Sequence, residues 1–465
     1  MRKTKIICTI GPTTNSFEML SQLADAGMNA VRLNMSHGDH DSHRKVIKSI
    51  KTLNQKIKYP IPLILDTQGP EIRTGNLKKD IELKDGDVVS VVARNINVEE
   101  SSIPINYDEI VDAVEVDDII TVDNGLINLQ VLSKKDQSMS CRVIDGGTLK
   151  SRRHVNLPGI HVNLPAITKK DKEDILFGIM QEVDFIALSF VRQAADVREL
   201  QKLLGDKRDK IKIIAKIEDQ EGVKNIDQIL YEVDGIMVAR GDLGVEIRVE
   251  ELPNVQRQLV RKCHERGKRC IVATHLLESM IENPIPTRAE VTDVANAIYE
   301  EVDAIMLSGE TTVGKYPIKC VEYLDKIART SEKEEGLNLF KYLVKESDKQ
   351  NLAYSAVQLA ESISAAGIVV ITRRGYMANY VSNCRPFHTP IYAFTNDSRT
   401  RRVLSLNRNV VPNRLTFSNE PEKTLYNAFV ALKARENLSE GDKVVVISDV
   451  IAGSGVDAIQ IRTIE

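Results

Sequence analysis

Polar residues at the ends of two neighbouring apolar runs suggest chemistry on a phosphate. Lys216 and Glu218 stand two residues apart in the run IIAKIE, so in a strand both side chains point to the same side. Asp242 closes the next run, GIMVARGD. Mg²⁺ prefers one or two carboxylates with water and phosphate oxygens, so Glu218 and Asp242 predict a divalent cation site beside Lys216. A salt bridge between Lys216 and Glu218, and a turn role for Asp242, are the alternative interpretations.

An earlier run carries a second set of polar residues on one side. Arg32, Asn34 and Ser36 alternate along VRLNMSHG, and the forked guanidinium of Arg32 suits a phosphate. Four residues offer oxygens for a monovalent cation: Asn34, Ser36, Asp66 and Thr67. Arg73 adds a second cation near the same rim, whereas an isolated His37 is most often structural.

Two motifs imitate functional sites and are interpreted as structural. The segment GETTVGKYP at 309–317 nearly matches a phosphate-binding loop, but Tyr316 stands where that loop needs Ser or Thr for Mg²⁺. Thr287 and Glu290 have the spacing of a capping box, which predicts the start of a helix.

The polar residues lie at the ends of eight short apolar runs. Helix-like segments such as Phe17–Ala26 and Ala194–Leu204 separate many of them. The runs lack clean alternation, which is typical of strands buried on both faces of a parallel sheet. Eight such units predict a (β/α)8 barrel, in which active sites lie at the carboxyl ends of the strands. The runs are KIICTI (5–10), NAVRLN (29–34), PLILDT (62–67), VDFIALSF (183–190), IKIIAKIE (211–218), DGIMVARGD (234–242), RCIVATH (269–275) and DAIMLSGE (303–310).

Two stretches of the chain depart from this alternation. Residues 71–166 contain short strand-like runs separated by turn pairs such as Asn124-Gly125, which predicts an inserted small β-barrel lid domain. After residue 340, runs such as GIVVIT alternate with helical stretches and predict a C-terminal α/β domain. The predicted boundaries are 1–70 and 167–340 for the barrel, 71–166 for the lid and 341–465 for the C-terminal domain.

The composition argues against several classes of function. The 465 residues include 63 basic and 66 acidic side chains, a net charge of −3 that gives no support to a nucleic-acid partner. No apolar run reaches the roughly 20 residues of a membrane span. Gly11 and Pro12 interrupt the basic, apolar start, so we expect a cytoplasmic protein without a signal peptide. Six scattered cysteines without a C-x-x-C pair predict reduced thiols.

The motifs, taken in order, resemble those of the pyruvate kinase family. The resemblance implies a TIM barrel with an inserted lid and a C-terminal α/β domain, usually assembled as a homotetramer. It also implies transfer of a phosphoryl group from phosphoenolpyruvate to ADP in glycolysis, giving pyruvate and ATP after an enolate is protonated. The matching segments span essentially the whole chain: KTKIICTIGP, VRLNMSHG, LDTQGPEIRTG, IIAKIEDQEGV, GIMVARGDLGVE, ATHLLESMIENPIPTRAEVTDVANA and MLSGETTVGKYP.

By motif match, the resemblance implies a role for each candidate residue. Lys216 would stabilise the transferring phosphoryl group, Thr274 would help to protonate the enolate, and Arg32 and Arg73 would clamp phosphates. The implied phosphoenolpyruvate contacts are Arg32, Lys216, Gly241, Asp242 and Thr274. The implied nucleotide contacts are Asn34, His37, Arg73 and, from the lid side, Lys170. Mg²⁺ or Mn²⁺ would bind Glu218 and Asp242, and K⁺ would bind Asn34, Ser36, Asp66 and Thr67.

Several positions refine or weaken the resemblance. Glu71, with Thr67, matches the K⁺-dependent members of the family, because members with Lys at that position supply the cation themselves. The departures are Gln68 for Lys, Asp219 for Asn, His275-Leu276 for Gln-Met and, in a turn of the lid, Asn124 for Asp. We expect none of them to remove a residue that the chemistry needs.

The C-terminal domain departs further from the family. Members activated by fructose 1,6-bisphosphate carry a loop rich in Ser and Thr, where this chain has Thr372, Arg373, Arg374 and Gly375, followed by Met377. The sequence therefore argues against that effector. The arginines leave two interpretations open, a site for another phosphorylated effector and a surface salt bridge.

Two other classes of function compete with an active kinase. One is a catalytically weak relative that senses metabolites, and the intact Lys216, Glu218, Asp242 and Thr274 argue against it. The other is a Mg²⁺-dependent aldolase that acts through an enolate, since a fold alone does not define a reaction. An aldolase would ignore ADP, so nucleotide dependence discriminates between these classes.

Overall fold

A computed structural model describes residues 2–93, 102–123, 125–160, 162–448 and 458–465 of the chain. The first elements are β1 (Lys5–Thr9), α1 (Phe17–Ala26), β2 (Ala30–Asn34), α2 (His40–Leu53) and β3 (Leu63–Asp66). The insertion contains β4 (Ile81–Leu83), β5 (Val88–Val92), β6 (Ile103–Pro104), α3 (Ile110–Ala113), β7 (Ile119–Val122), β8 (Ile127–Lys135), β9 (Ser138–Asp145), β10 (Gly147–Leu149) and β11 (Val155–Asn156). The predicted turn residue Asn124 lies outside the described residues.

After the insertion, the described chain consists of further helices and strands. The barrel continues with α4 (Lys169–Met180), β12 (Phe185–Leu188), α5 (Ala194–Leu204), β13 (Lys212–Ile217), α6 (Gln220–Lys224), α7 (Ile226–Glu232), β14 (Gly235–Ala239), α8 (Arg240–Glu246), α9 (Leu252–Arg266), β15 (Arg269–Ala273), α10 (Arg288–Tyr299), β16 (Ala304–Leu307), α11 (Gly309–Thr312) and α12 (Pro317–Ser331). The C-terminal part contains α13 (Asp348–Ser362), β17 (Gly367–Ile371), α14 (Tyr376–Asn383), β18 (Ile391–Thr395), α15 (Ser398–Leu404), β19 (Val410–Arg414), α16 (Pro421–Glu436), β20 (Lys443–Ser448) and β21 (Ala458–Thr463).

Eight parallel strands close into a barrel, which confirms the predicted (β/α)8 architecture. The strand order around the barrel is β1-β16-β15-β14-β13-β12-β3-β2. Apolar side chains such as Ile64, Phe185 and Ile214 form one buried cluster that fills the interior, and Leu406 from the C-terminal part belongs to the same cluster. Because strand residues alternate between faces, Lys212 and Lys216 lie on the same side of β13 as Ile214, towards opposite ends of the barrel.

Local signals set the helix ends that matter most for the site. Thr287 accepts a hydrogen bond from the Glu290 backbone at 3.2 Å, and the Glu290 carboxylate accepts from the Thr287 backbone at 2.7 Å, so the predicted capping box is confirmed at the start of α10. The segment that imitates a phosphate loop forms only the short helix α11, and Pro317 then starts α12. Proline suits the first turn of a helix, where its missing N–H costs nothing.

Additional sheets lie outside the barrel. In the insertion, a six-stranded sheet has the order β11-β7-β8-β9-β5-β6, and β4 pairs with β10. The C-terminal part has a five-stranded sheet of order β19-β18-β17-β20-β21, in which only β21 runs antiparallel to its neighbour. Within the described residues, no helix is long and apolar enough to cross a membrane. All six cysteines belong to the described part of the chain, and their side chains are buried and unpaired.

The C-terminal part packs against the amino ends of the barrel strands. Arg385 donates two parallel hydrogen bonds of 2.8 Å to the carboxylate of Asp303, which precedes β16, and both side chains are buried. Arg402 donates at 2.9 Å to Asp184, which precedes β12. These ion pairs leave the carboxyl ends of the strands open for a site.

Candidate active site at the carboxyl ends of the barrel strands

Lys216 lies at the centre of a buried group of charges. Its ammonium contacts Asp66 Oδ1 at 3.1 Å, Glu218 Oε1 at 2.9 Å and Ser189 Oγ at 2.7 Å. Burial alone would lower the pKa of Lys216, but the two carboxylates raise it above its ordinary value. The ammonium therefore stays charged at the end of β13, although the side chain is nearly inaccessible to solvent.

Arg32 shares the carboxylate of Asp66 with Lys216. Arg32 donates through Nε to Asp66 Oδ2 and through Nη1 to Thr9 Oγ1 at 3.1 Å. Burial would raise the pKa of Asp66, but Arg32 and Lys216 together hold it below its ordinary value. Arg32 and Lys216 thus bring two buried cations to one carboxylate at this end of the barrel, and a forked donor beside an ammonium suits the oxygens of a phosphate.

Glu218 and Asp242 place negative charge next to the ammonium. Phe190 donates its backbone N–H to Glu218 Oε2 at 2.6 Å and holds the carboxylate in place. Burial first and then the nearby Asp242 raise the pKa of Glu218, although Lys216 opposes the rise. The described part of the chain contains no group of three or more His, Cys, Asp or Glu side chains arranged around a metal ion.

Thr274 has a strained backbone that neighbouring groups hold in place. The backbone angle φ is 69° at Thr274 and 54° at His275. Residues other than glycine rarely adopt positive φ values, and β-branched residues such as Thr do so least. Gly241 donates its N–H to Thr274 Oγ1 at 2.7 Å, and the buried Arg240 donates to Thr274 O at 2.6 Å. Arg240 also pairs with Asp293 of α10 at 2.7 Å. Non-glycine residues in this region concentrate at functional sites, which supports a role for Thr274.

The four candidate K⁺ ligands come from adjacent strand ends. Asn34 and Asp66 are direct neighbours in the pairing of β2 with β3. The Asn34 side chain accepts from Ser36 N at 3.1 Å, which fixes the turn after β2. Thr67 Oγ1 accepts from Ser189 N at 3.0 Å. The structure thus places Asn34, Asp66 and Thr67 at the adjoining carboxyl ends of β2 and β3, with Ser36 in the turn after β2.

A cleft between the insertion and the barrel contains Arg73 and its neighbours. Glu71 accepts from Arg73 Nε at 2.7 Å and from Gln68 Nε2 at 3.1 Å. Burial would raise the pKa of Glu71, but Arg73 lowers it below its ordinary value. A 610 Å³ cavity in this cleft is lined by these three residues together with Ser36 and His37. A neighbouring cavity of 210 Å³ brings Arg73 and Asp242 to one space.

Lys170 lies on α4, the first barrel helix after the insertion. Its ammonium donates to Met35 O at 2.6 Å and to Asp174 Oδ2 at 2.7 Å. His40 Nε2 lies 2.7 Å from the other oxygen of Asp174. Lys170 therefore approaches the turn after β2 from the barrel side.

The residues considered for an effector lie elsewhere, in the loop between β17 and α14. Thr372 Oγ1 accepts from Gly375 N at 3.1 Å, and Arg373 O accepts from Thr395 Oγ1 at 3.3 Å. Gly375 has a φ of 83°, a conformation that suits glycine. The structure does not bring this loop to the barrel site.

Sequence reasoning missed two residues that the structure joins to the site. Ser189 lies near the end of the run VDFIALSF, and it contacts both Lys216 and Thr67. Arg240 lies near the end of the run DGIMVARGD, and it donates to the carbonyl of Thr274. Their only sequence signal is a polar side chain at the end of an apolar run, which most strands of this barrel share.

Comparisons with known proteins agree with this fold. The pyruvate kinase barrel-domain model matches residues 1–321, and the pyruvate kinase alpha/beta-domain model matches residues 350–461. The chain is 43% identical over 453 residues to plastidial pyruvate kinase 2 of Arabidopsis thaliana, covering 96% of this chain and 78% of the relative. It is 43% identical over 461 residues to the pyruvate kinase of Geobacillus stearothermophilus, with 97% and 78% covered. It is 47% identical over 416 residues to that of Bacillus licheniformis, with 87% and 71% covered. The chain belongs to the pyruvate kinase family.

Proposed function

We propose that the protein transfers the phosphoryl group of phosphoenolpyruvate to ADP in glycolysis, giving pyruvate and ATP. The observation that carries this proposal is the buried, charged Lys216 with three oxygen partners beside Glu218. Phosphoryl transfer needs positioned cations more than covalent chemistry, because the transition state spreads negative charge over the phosphoryl oxygens.

The donor sets fit one divalent and one monovalent cation. Glu218 and Asp242 would hold Mg²⁺ or Mn²⁺, since two carboxylates leave most of its coordination to water and substrate oxygens. The raised pKa of Glu218 supports this fit, because a cation would relieve the repulsion from Asp242. Asn34, Ser36, Asp66 and Thr67 would hold K⁺ with largely neutral oxygens. When bound, the divalent cation neutralises charge on the phosphate oxygens.

The protein's own cations hold and stabilise the moving phosphoryl group. Arg32 and Arg73 clamp phosphate oxygens with forked donors. Lys216 directs its ammonium to the phosphoryl oxygens, where charge is greatest in the transition state. Glu71 holds Arg73 in the cleft, so the clamp is ordered before the substrate binds.

Protonation of the enolate involves the neighbouring strand end. Gly241, Asp242 and Thr274 contact the carboxylate end of the substrate, and the Thr274 hydroxyl helps to deliver a proton to the enolate carbon. The Arg240 guanidinium and the Gly241 backbone N–H support this geometry, because both donate to Thr274.

The remaining parts of the proposal concern the nucleotide, the lid and the assembly. Asn34, His37, Arg73 and Lys170 contact ADP or ATP, and the lid of residues 71–166 closes over the barrel and excludes water. The barrel spans 1–70 and 167–340, and the C-terminal domain spans 341–465. We further propose a cytoplasmic homotetramer with no nucleic-acid or membrane partner. The loop of Thr372, Arg373, Arg374 and Gly375 argues against fructose 1,6-bisphosphate as an effector and leaves open another phosphorylated effector or a surface salt bridge.

The deciding experiment measures pyruvate formation from phosphoenolpyruvate with Mg²⁺, with and without ADP and K⁺. We expect turnover that requires ADP and that falls about tenfold or more when tetramethylammonium replaces K⁺, because the larger ion does not fit among fixed oxygens. Turnover that ignores ADP would indicate an aldolase-like reaction, and a folded protein with no turnover would indicate a sensing module. Equal rates with K⁺ and with tetramethylammonium would refute the K⁺ site and leave the rest of the proposal standing.

A further inference from the structure

Ser189 connects the ammonium of Lys216 to Thr67, one of the candidate K⁺ ligands. Among the described contacts of the Lys216 ammonium, Ser189 is the uncharged one. It follows β12, and its side chain is completely buried. Its Oγ accepts from Lys216 Nζ at 2.7 Å and donates to Thr67 O at 2.7 Å. Its backbone N–H donates to Thr67 Oγ1 at 3.0 Å. One residue therefore contacts the ammonium and both oxygens of Thr67.

The distances around the Ser189 hydroxyl favour one orientation of its proton. A serine hydroxyl has one proton and two lone pairs, and an ammonium can only donate. Lys216 therefore uses a lone pair, and the proton goes either to Thr67 O at 2.7 Å or to Asp66 Oδ1 at 3.4 Å. The shorter bond is favoured, so the donor chain runs from Lys216 through Ser189 to the Thr67 carbonyl.

This chain determines where the ammonium points. Lys216 has three N–H groups, and they contact the carboxylates of Asp66 and Glu218 and the hydroxyl of Ser189. The ammonium turns only about its Cε–Nζ bond, so the three acceptors together set its rotation and its position, and Ser189 is the neutral acceptor among them. Ser189 follows β12, which lies between β3 and β13 in the barrel.

We propose that Ser189 is a positioning residue that couples the orientation of Lys216 to the Thr67 oxygens of the cation site. The inference rests on the proposed function, which gives Lys216 its role in phosphoryl transfer and Thr67 its role in K⁺ binding. Loss of the hydroxyl removes one of the three acceptors of the ammonium and the side-chain donor to the Thr67 carbonyl in a single step. Turnover and the response to K⁺ therefore change together.

The test compares Ser189→Ala with Ser405→Ala in the full-length protein. Ser405 is also buried, and its hydroxyl donates to Pro60 O at 2.7 Å near the amino ends of the strands, so the chemical change is the same at the other end of the barrel. For Ser189→Ala we expect kcat to fall about ten- to a hundredfold, the size of one lost hydrogen bond to a charged group. The K⁺ concentration for half-activation rises about fivefold, as expected for one neutral hydrogen bond. Ser405→Ala keeps both values at the parent level.

Ser189→Cys provides a second variant of similar size, with a thiol that donates and accepts only weakly. Thermal unfolding first establishes which variants fold. A folded Ser189→Ala or Ser189→Cys with parental kcat and K⁺ response would overturn the inference, as would a fall in kcat with an unchanged K⁺ response. An inactive parent enzyme would instead overturn the proposed function, so the two failures are distinguishable.

Discussion

The two ends of the barrel both bury charged side chains, but they organise them differently. At the amino ends, Asp303 and Arg385 form a closed pair in which each carboxylate oxygen meets one guanidinium N–H. At the carboxyl ends, Lys216 lies between Asp66 and Glu218, while Arg32 competes for Asp66. The first arrangement satisfies its own charges, and the second groups two cations with the carboxylates of Asp66, Glu218 and Asp242, so its charges are not paired one to one.

The pKa directions express the same difference. Burial would raise the pKa of Asp303, but Arg385 lowers it to about 2, as a well-paired carboxylate requires. Burial and Asp242 instead raise the pKa of Glu218, so its negative charge is incompletely balanced by protein groups. A closed pair contributes to the docking of the C-terminal part, whereas an unbalanced group favours binding of external ions. We therefore expect substitutions at the carboxyl ends to affect turnover and those at the amino ends to affect stability.

The largest expected contrast uses one strand and one substitution. Lys216→Met should lower kcat at least about a thousandfold, because it removes the cation that stabilises the transition state. Lys212→Met is the matched control, since Lys212 lies on the same side of β13 near its amino end and pairs with Asp234 at 3.6 Å. Steady-state kinetics with thermal unfolding of both variants provides the measurement. Near-normal turnover of a folded Lys216→Met protein would remove Lys216 from the mechanism.

Much of this contrast was accessible from the sequence. The period of two predicted that Lys216 and Glu218 share one side of a strand, and the helix prediction for Phe17–Ala26 matches α1. Apolar runs without alternation predicted a parallel barrel, because burial on both faces removes the polar alternation. Lys216 was identifiable because a charge in an apolar run is costly unless it has a partner or a function.

The rest of the contrast depends on contacts between distant segments. Asp303 and Arg385 are 82 residues apart, so their pairing follows from docking and not from a local pattern. Ser189 is an ordinary serine until the register of β12 with β3 and β13 brings it to Lys216 and Thr67. The left-handed backbone of Thr274 is held by Arg240 from another strand end, and no propensity predicts it.

The next largest effect is expected at the amino ends. Arg385→Met should lower the free energy of unfolding by about 3–5 kcal/mol, because it leaves Asp303 buried without its partner. Combining it with Asp303→Asn should recover part of this loss, since no unpaired charge then remains. Urea unfolding measures the stability, and kcat is determined per folded molecule. A large fall in kcat with unchanged stability would contradict the division between the two ends.

A smaller effect is expected from acid at the same interface. Burial and Arg385 lower the pKa of His264 from 6.5 to about 3, and its ring contacts Glu300 O at 3.2 Å. Between pH 6.5 and 3, His264 is therefore protonated in the unfolded chain and neutral in the folded chain. Stability contributed by neutral His264 is complete above pH 6.5 and falls as the pH decreases, by up to about 1.4 kcal/mol per pH unit. His264→Gln should flatten the dependence of the urea midpoint on pH between 7 and 5, and identical slopes would exclude this role.

The smallest effect on turnover is expected at His275. This residue follows β15 at the carboxyl ends of the barrel strands, but its side chain does not belong to the group of charges around Lys216. His275 is largely exposed, and its ring lies 3.3 Å from the exposed Glu278, a type of surface pair worth about 0–1 kcal/mol. His275→Gln should therefore change kcat by less than about twofold. Its backbone matters more than its side chain, because the φ of 54° is unfavourable for most residues but not for glycine. His275→Gly should raise the unfolding temperature slightly while kcat stays near the parent value. A large loss of turnover in both variants would show that the imidazole acts in the site, and the group of charges that defines the carboxyl end would then have to include it.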